Sequence, residues 1–174
     1  MSIDLVRYVR NVPDFPKPGI VFKDLTPLLA DARAFAAAIE ALSAPFRDAR
    51  IERVVGIEAR GFIFGAAAAH ALGAGFVPMR KPGKLPAATI GVEYDLEYGK
   101  DRLEMHADAL VRGERVLIVD DVLATGGTLL AAVRLCEDAG ADVVGAAVVA
   151  ELAFLQARAR WKRDAMLHAV MRFE

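Results

Sequence analysis

Apolar and polar positions along the chain alternate in blocks of two kinds. Short apolar runs at 53–57, 76–79, 115–119, 142–149 and 166–172 predict buried strands. Small-residue or amphipathic stretches between them predict helices. One spans 61–72 and is closed by Gly73 and Gly75; another runs from about 127 to 139 and ends at Gly140. A shorter helix is expected at 153–161, and Asp31 reads as the N-cap of an Ala-rich helix through about Pro45. Strand–helix–strand units of this length require right-handed crossovers. The expected fold class is therefore α/β, a mostly parallel central sheet flanked by helices.

Two segments break this rhythm. Residues 2–12 read as a short amphipathic helix with Ile3, Val6, Tyr8 and Val9 apolar. Pro13, Pro16 and Pro18 then exclude regular structure, and 19–24 reads as extended. Residues 82–103 carry polar alternation, which predicts two exposed β segments forming a flap with its tip near 94–99. Long insertions in compact domains often serve as lids. With no internal repeat or linker, residues 1–174 read as one domain.

Composition narrows the picture only by exclusion. Net charge is −1 with acids and bases interspersed, so no basic face for nucleic acid is expected. The apolar runs are too short for a membrane-spanning helix, and no basic-then-apolar leader opens the chain, so a cytoplasmic globular protein is expected. The lone Cys136 cannot form a disulfide within the chain, and its helical setting among Leu130, Val133 and Leu135 predicts a buried, inert thiol. His70, His106 and His168 show no paired spacing and read as structural or surface residues.

The chemistry concentrates in Val116-Leu-Ile-Val-Asp-Asp-Val-Leu-Ala-Thr-Gly-Gly-Thr128. A buried strand ends in two acids, and a Gly-rich turn then enters a helix. Ligands of open α/β sheets bind outside the carboxyl ends of strands. A Gly-rich turn there lets backbone N–H groups and a helix N-terminus converge on an anion, with Thr125 and Thr128 as hydroxyl donors. Asp120 and Asp121 would repel a bare phosphate. A phosphate on a polyol reconciles the two: the turn holds the phosphate, and the acids accept from sugar hydroxyls or meet metal-bound water. Taken singly, the turn also fits a plain strand–helix connection, and the acid pair a solvated edge. No Gly-x-Gly-x-x-Gly after a strand and no Walker A pattern is present.

This segment resembles the phosphoribosyl pyrophosphate signature of type I phosphoribosyltransferases, in the form closest to the adenine-specific branch. Phe15–Pro27, Gly56-Ile-Glu-Ala-Arg-Gly-Phe62, Arg80-Lys-Pro-Gly-Lys-Leu-Pro86 and Leu96-Glu-Tyr-Gly-Lys100 fall in that branch's order and spacing. The resemblance covers about 9–151. It implies a small N-terminal hood (about 1–30) that binds the base and a flexible flap (about 82–103). It implies that Ala124, Thr125, Gly126, Gly127 and Thr128 hold the 5-phosphate, and that Asp120 and Asp121 meet the ribose. Ala59, Arg60, Arg80 and Lys84 would meet pyrophosphate, with Arg80 reaching the partner site of a homodimer. Phe22 would stack on adenine while the backbone of Val21 and Lys23 reads its edge. Glu97 would be the general acid/base and Tyr98 a lid residue. Mg²⁺ is the implied cofactor, carried by ligand oxygens and water near the acid pair. The family usually has Asp where Glu58 stands; this departure leaves the loop's role intact and assigns Glu58 no role of its own. The implied reaction is adenine plus phosphoribosyl pyrophosphate giving AMP and pyrophosphate. The rivals are another base with the same chemistry and a non-catalytic sensor of phosphoribosyl pyrophosphate.

Overall fold

The computed structural model describes residues 3–96 and 99–174. The apolar runs become β3 (Arg53–Ile57), β4 (Gly75–Met79), β7 (Arg115–Leu123), β8 (Asp142–Leu152) and β9 (Met166–Phe173). They form one five-stranded sheet in the order β4-β3-β7-β8-β9, and every neighbouring pair is parallel. Because side chains alternate across a strand, the two faces are separate cores. Val116 and Ile118 of β7 pack with α4 (Gly127–Asp138). Leu117 and Val119 pack against the opposite layer, α1 (Thr26–Ala30), α2 (Ala32–Ser43) and α3 (Gly61–Leu72). Asp31 caps α2 through its carboxylate, accepting from Arg33 N–H and Ala34 N–H at 2.9 Å each. Cys136 is fully buried, and burial pushes its thiol pKa up to about 12.

Four expectations need correction. Residues 5–8 form one 3-10 turn, and β1 (Arg10–Pro13) follows, paired antiparallel with β2 (Val21–Asp24). Leu5, Tyr8 and Val9 are only partly buried against the core, and the chain passes into the β1 ladder at Arg10 instead of continuing as a helix. β7 runs on to Leu123 because its ladder with β8 continues to Leu123↔Glu151, which puts the acid pair on the strand. Residues 153–161 form two 3-10 pieces, Ala153–Leu155 and Ala157–Arg160, broken at Gln156 in the left-handed region. The flap is a hairpin of β5 (Thr89–Leu96) and β6 (Gly99–His106), but it is not simply exposed. Val92, Leu103 and Met105 belong to the core, packed on the side of α4.

Gly145 is the strand glycine pressed closest to a neighbouring backbone. A Cβ there would stand 2.8 Å from the carbonyl oxygen of Met166 and 2.7 Å from the Phe46 ring, and neighbouring-strand backbone cannot yield. Gly145→Ala should therefore lower stability by about 1–3 kcal/mol, read from the midpoint of urea denaturation.

Candidate active site

Strand order decides where the site lies. From β3 the chain leaves through α3 on one face of the sheet; from its neighbour β7 it leaves through α4 on the other. The two connections diverge and leave a crevice at the carboxyl ends of β3 and β7. Gly61, at the start of α3, sits so close to β7 that a Cβ there would meet Asp120 Oδ1 at 2.7 Å. The loop carrying Arg60 and the acid pair thus share one space.

The acid pair is asymmetric. Asp121 is buried and accepts from Arg60 Nε. Burial first, and the Asp121 charge second, hold the Asp120 carboxyl well above the ordinary carboxylate range; the Asp121 N–H (2.9 Å) and Arg60 offset this only in part. Arg60 also lies over the Phe22 ring, 5.0 Å from its centroid, and Phe15 meets that ring edge-on at 5.2 Å. Arg60 therefore bridges the N-terminal segment to β7.

Past Asp121 the strand turns into α4 through Ala124–Gly126. Gly126 has φ +85°, where a side chain is strained, and Ala157 Cβ stands 3.2 Å from where its own Cβ would be. A cavity of about 70 Å³ lies here, lined by Asp120, Ala124, Thr125, Gly126 and Thr128 among others. A larger cleft of about 880 Å³ adjoins it, lined by Val21, Lys23, Phe154 and Leu155 among others. Ala124 and Thr125 line both. Val21 and Lys23 thus face the cleft, whereas Phe22 is half-buried beneath Arg60 and does not line it.

The basic residues after β4 converge on one carboxylate. Glu58 accepts from Lys84 Nζ, from Lys81 N–H at 2.8 Å and from Arg80 Nε at 3.3 Å. Burial raises its pKa, but the Lys84 ammonium, the Lys81 N–H and Arg80 outweigh that and hold the carboxyl below its ordinary value. The Glu58–Ala59 peptide is cis. Lys81 turns the other way, to Asp101 and to Tyr94 Oη (2.9 Å), and Thr128 donates to that same hydroxyl at 3.4 Å. The flap hairpin is therefore joined to the 124–128 turn through Tyr94. Glu97 and Tyr98 lie outside the described residues.

No motif singled out residues 152–160, yet they wall the site. Leu152, Phe154 and Leu155 line the cleft. Arg160 donates to the Thr125 carbonyl at 2.9 Å. Arg158 grips the buried Glu151 with two hydrogen bonds, at 2.6 and 3.1 Å. The only sequence signal was Glu151, an acid at the end of an apolar strand with arginines seven and nine residues later.

Comparison with known proteins agrees with this geometry. Residues 28–171 match the phosphoribosyl transferase domain family. An adenine phosphoribosyltransferase of Xanthomonas campestris pathovar campestris is 58% identical over 165 residues, 95% of this chain and 89% of that one. The crystal structure of adenine phosphoribosyltransferase from Rhodothermus marinus superposes with a TM-score of 0.93 at 54% identity, covering 97% of this chain and 96% of that one. The Giardia lamblia APRTase complexed with 9-deazaadenine gives 0.93 at 40% identity, covering 98% and 97%. With relatives matching over nearly their whole length at these identities, the chain belongs to the adenine phosphoribosyltransferase family.

Proposed function

We propose that the chain joins adenine to phosphoribosyl pyrophosphate, giving AMP and pyrophosphate, with the crevice at the ends of β3 and β7 as its active site. The observation that carries this is the shared wall: Ala124 and Thr125 border both the small cavity at the phosphate turn and the large cleft beside Val21 and Lys23. A ligand with a phosphate at one end, a sugar in the middle and a base at the other fits that layout. The phosphate takes the backbone N–H groups of 124–128, with α4 adding positive potential. The sugar hydroxyls donate to Asp120 and Asp121. Adenine enters the cleft, where the Val21 and Lys23 backbone supplies the donor and acceptor its edge requires. Phe22 becomes its stacking face once Arg60 moves toward pyrophosphate.

N9 of adenine attacks the anomeric carbon as the bond to pyrophosphate breaks. Negative charge grows on the leaving group, so Arg60, Lys84 and the partner's arginine equivalent to Arg80 lower the barrier by matching it. The phosphate and hydroxyl contacts contribute by fixing the sugar where the base can reach it. Glu97 takes the proton given up by the base, and Tyr98 closes the flap against water. A homodimer in the cytoplasm is part of the same reading.

Among the described residues no three acids, histidines or cysteines converge as a metal cage. The donor set fits Mg²⁺ carried by ligand oxygens, with Asp120 and Asp121 as partners through water. Bound there, the ion supplies charge neutralisation on pyrophosphate.

Turnover should appear with adenine and not with hypoxanthine, guanine or xanthine, and the Asp120→Ala/Asp121→Ala double variant should lose it. A rate with a 6-oxopurine in place of adenine would overturn the reading of Val21–Lys23. Glu97→Gln should lower kcat by about 10²-fold or more in steady-state AMP formation.

The raised Asp120 carboxyl has a stability consequence of opposite sign. Its folded pKa exceeds the unfolded one, so the folded state holds the extra proton and loses stability as pH rises through that window. Asp120→Asn should therefore raise the thermal midpoint at neutral pH while impairing turnover. The gain should fade as pH is lowered toward 3.8; a gain independent of pH would contradict the electrostatic cause.

A further inference from the structure

The pyrophosphate end of the crevice already contains an anion that belongs to the protein. Glu58 stands at the root of the loop carrying Arg60, and its side chain is only 9% exposed. Both oxygens are engaged: Oε1 by Lys84, Oε2 by the Lys81 N–H and Arg80. Lys84 and Arg80 stay 47% and 34% exposed, so their outer faces remain open to solvent. They sit on the segment that follows β4, whereas Glu58 follows β3. Their placement beside the Arg60 loop therefore depends on this carboxylate as well as on the Arg80–Glu104 backbone bridge. No other acid among the described residues pairs with Lys84 or Arg80.

A carboxylate in that position does two things at once. It gathers cations that an incoming polyanion needs, and it places a fixed negative charge beside that polyanion. The second effect grows with the ligand's charge, and pyrophosphate as a free product carries more than it does while bonded to the sugar. We infer that Glu58 is a tethered competitor for pyrophosphate: it holds Lys84 in the product-free site and reclaims it as product leaves, which weakens product retention. This rests on the reading of Lys84 as a pyrophosphate-binding cation; Arg80, which that reading sends to the partner's site, only braces the carboxylate here. Being part of the chain, the competitor acts at every concentration of free pyrophosphate, and its strength is set by geometry alone.

Binding of pyrophosphate with Mg²⁺ to the enzyme without AMP, followed by titration calorimetry, tests this. Glu58→Gln keeps the shape and the acceptor for the Lys81 N–H but removes the charge. Pyrophosphate should bind it about two- to fivefold more tightly, the range expected for one partly exposed ion pair. Glu58→Asp keeps the charge and should stay within about twofold of the parent, which guards against a folding defect in a single variant. Lys84→Gln should weaken binding, and on that background Glu58→Gln should lose most of its effect. Weaker or unchanged binding in Glu58→Gln, with Lys84→Gln impaired, overturns the competitor and makes Glu58 a simple brace. Unchanged binding in Lys84→Gln overturns the cation reading itself.

Discussion

Two adjacent parallel strands whose chains leave on opposite faces set the position of the acid pair, the turn at 124–128 and the loop carrying Arg60. The β3/β7 ladder pairs Arg53 with Val116 and Gly56 with Val119, so both strands end at one level. Glu58 and Arg60 follow one end; Asp120, Asp121 and the phosphate turn occupy the other. A shift of one residue in that register would turn Asp121 from the crevice to a helix-covered face, where an unpaired carboxylate is costly. The apolar alternation of β7 prevents that slip, since Val116 and Ile118 feed one core while Leu117 and Val119 feed the other. The geometry of the crevice is thus inherited from core packing several residues away.

Charge in the crevice is arranged for use at some expense to the resting fold. Asp120 and Asp121 sit side by side with one guanidinium between them and the N-terminal segment, and Arg60 serves Asp121 and Phe22 together. Such sharing leaves each partner incompletely compensated, which is the condition under which a ligand's own charges and hydroxyls improve the balance. Sites of this kind commonly set function against stability.

The sheet was legible because its strands are short apolar blocks bounded by glycines and acids, and the phosphate turn because a glycine pair follows an acid pair at a strand end. Boundaries were less so. Nothing local shows that β7 continues through two aspartates to Leu123; its ladder with β8 decides that. Residues 153–161 have a helical composition, but Arg158 is drawn onto the buried Glu151 and Gln156 turns left-handed, both tertiary effects. Phe154, Leu155 and Arg160 carry no motif, and they reach the site only because the β8–β9 connection folds back over Gly126 and Thr125. Phe22 was read as a stacking surface from resemblance; its half-buried place under Arg60 is a through-space relation that no spacing encodes.

The flap hairpin has a mechanical character that follows from where it is rooted. Val92 and Leu103 are cemented into the interior, so no rigid swing about the loop at 82–88 is open to it. The span from Val92 to the end of β5 is four residues, a lever of about 13 Å at ordinary strand rise. Any opening must bend that lever, and the cross-link of Lys81, Asp101 and Tyr94 sits partway along it like a clamp on a leaf spring. Its stiffness would be set by two strands of backbone hydrogen bonds and one clamped ammonium.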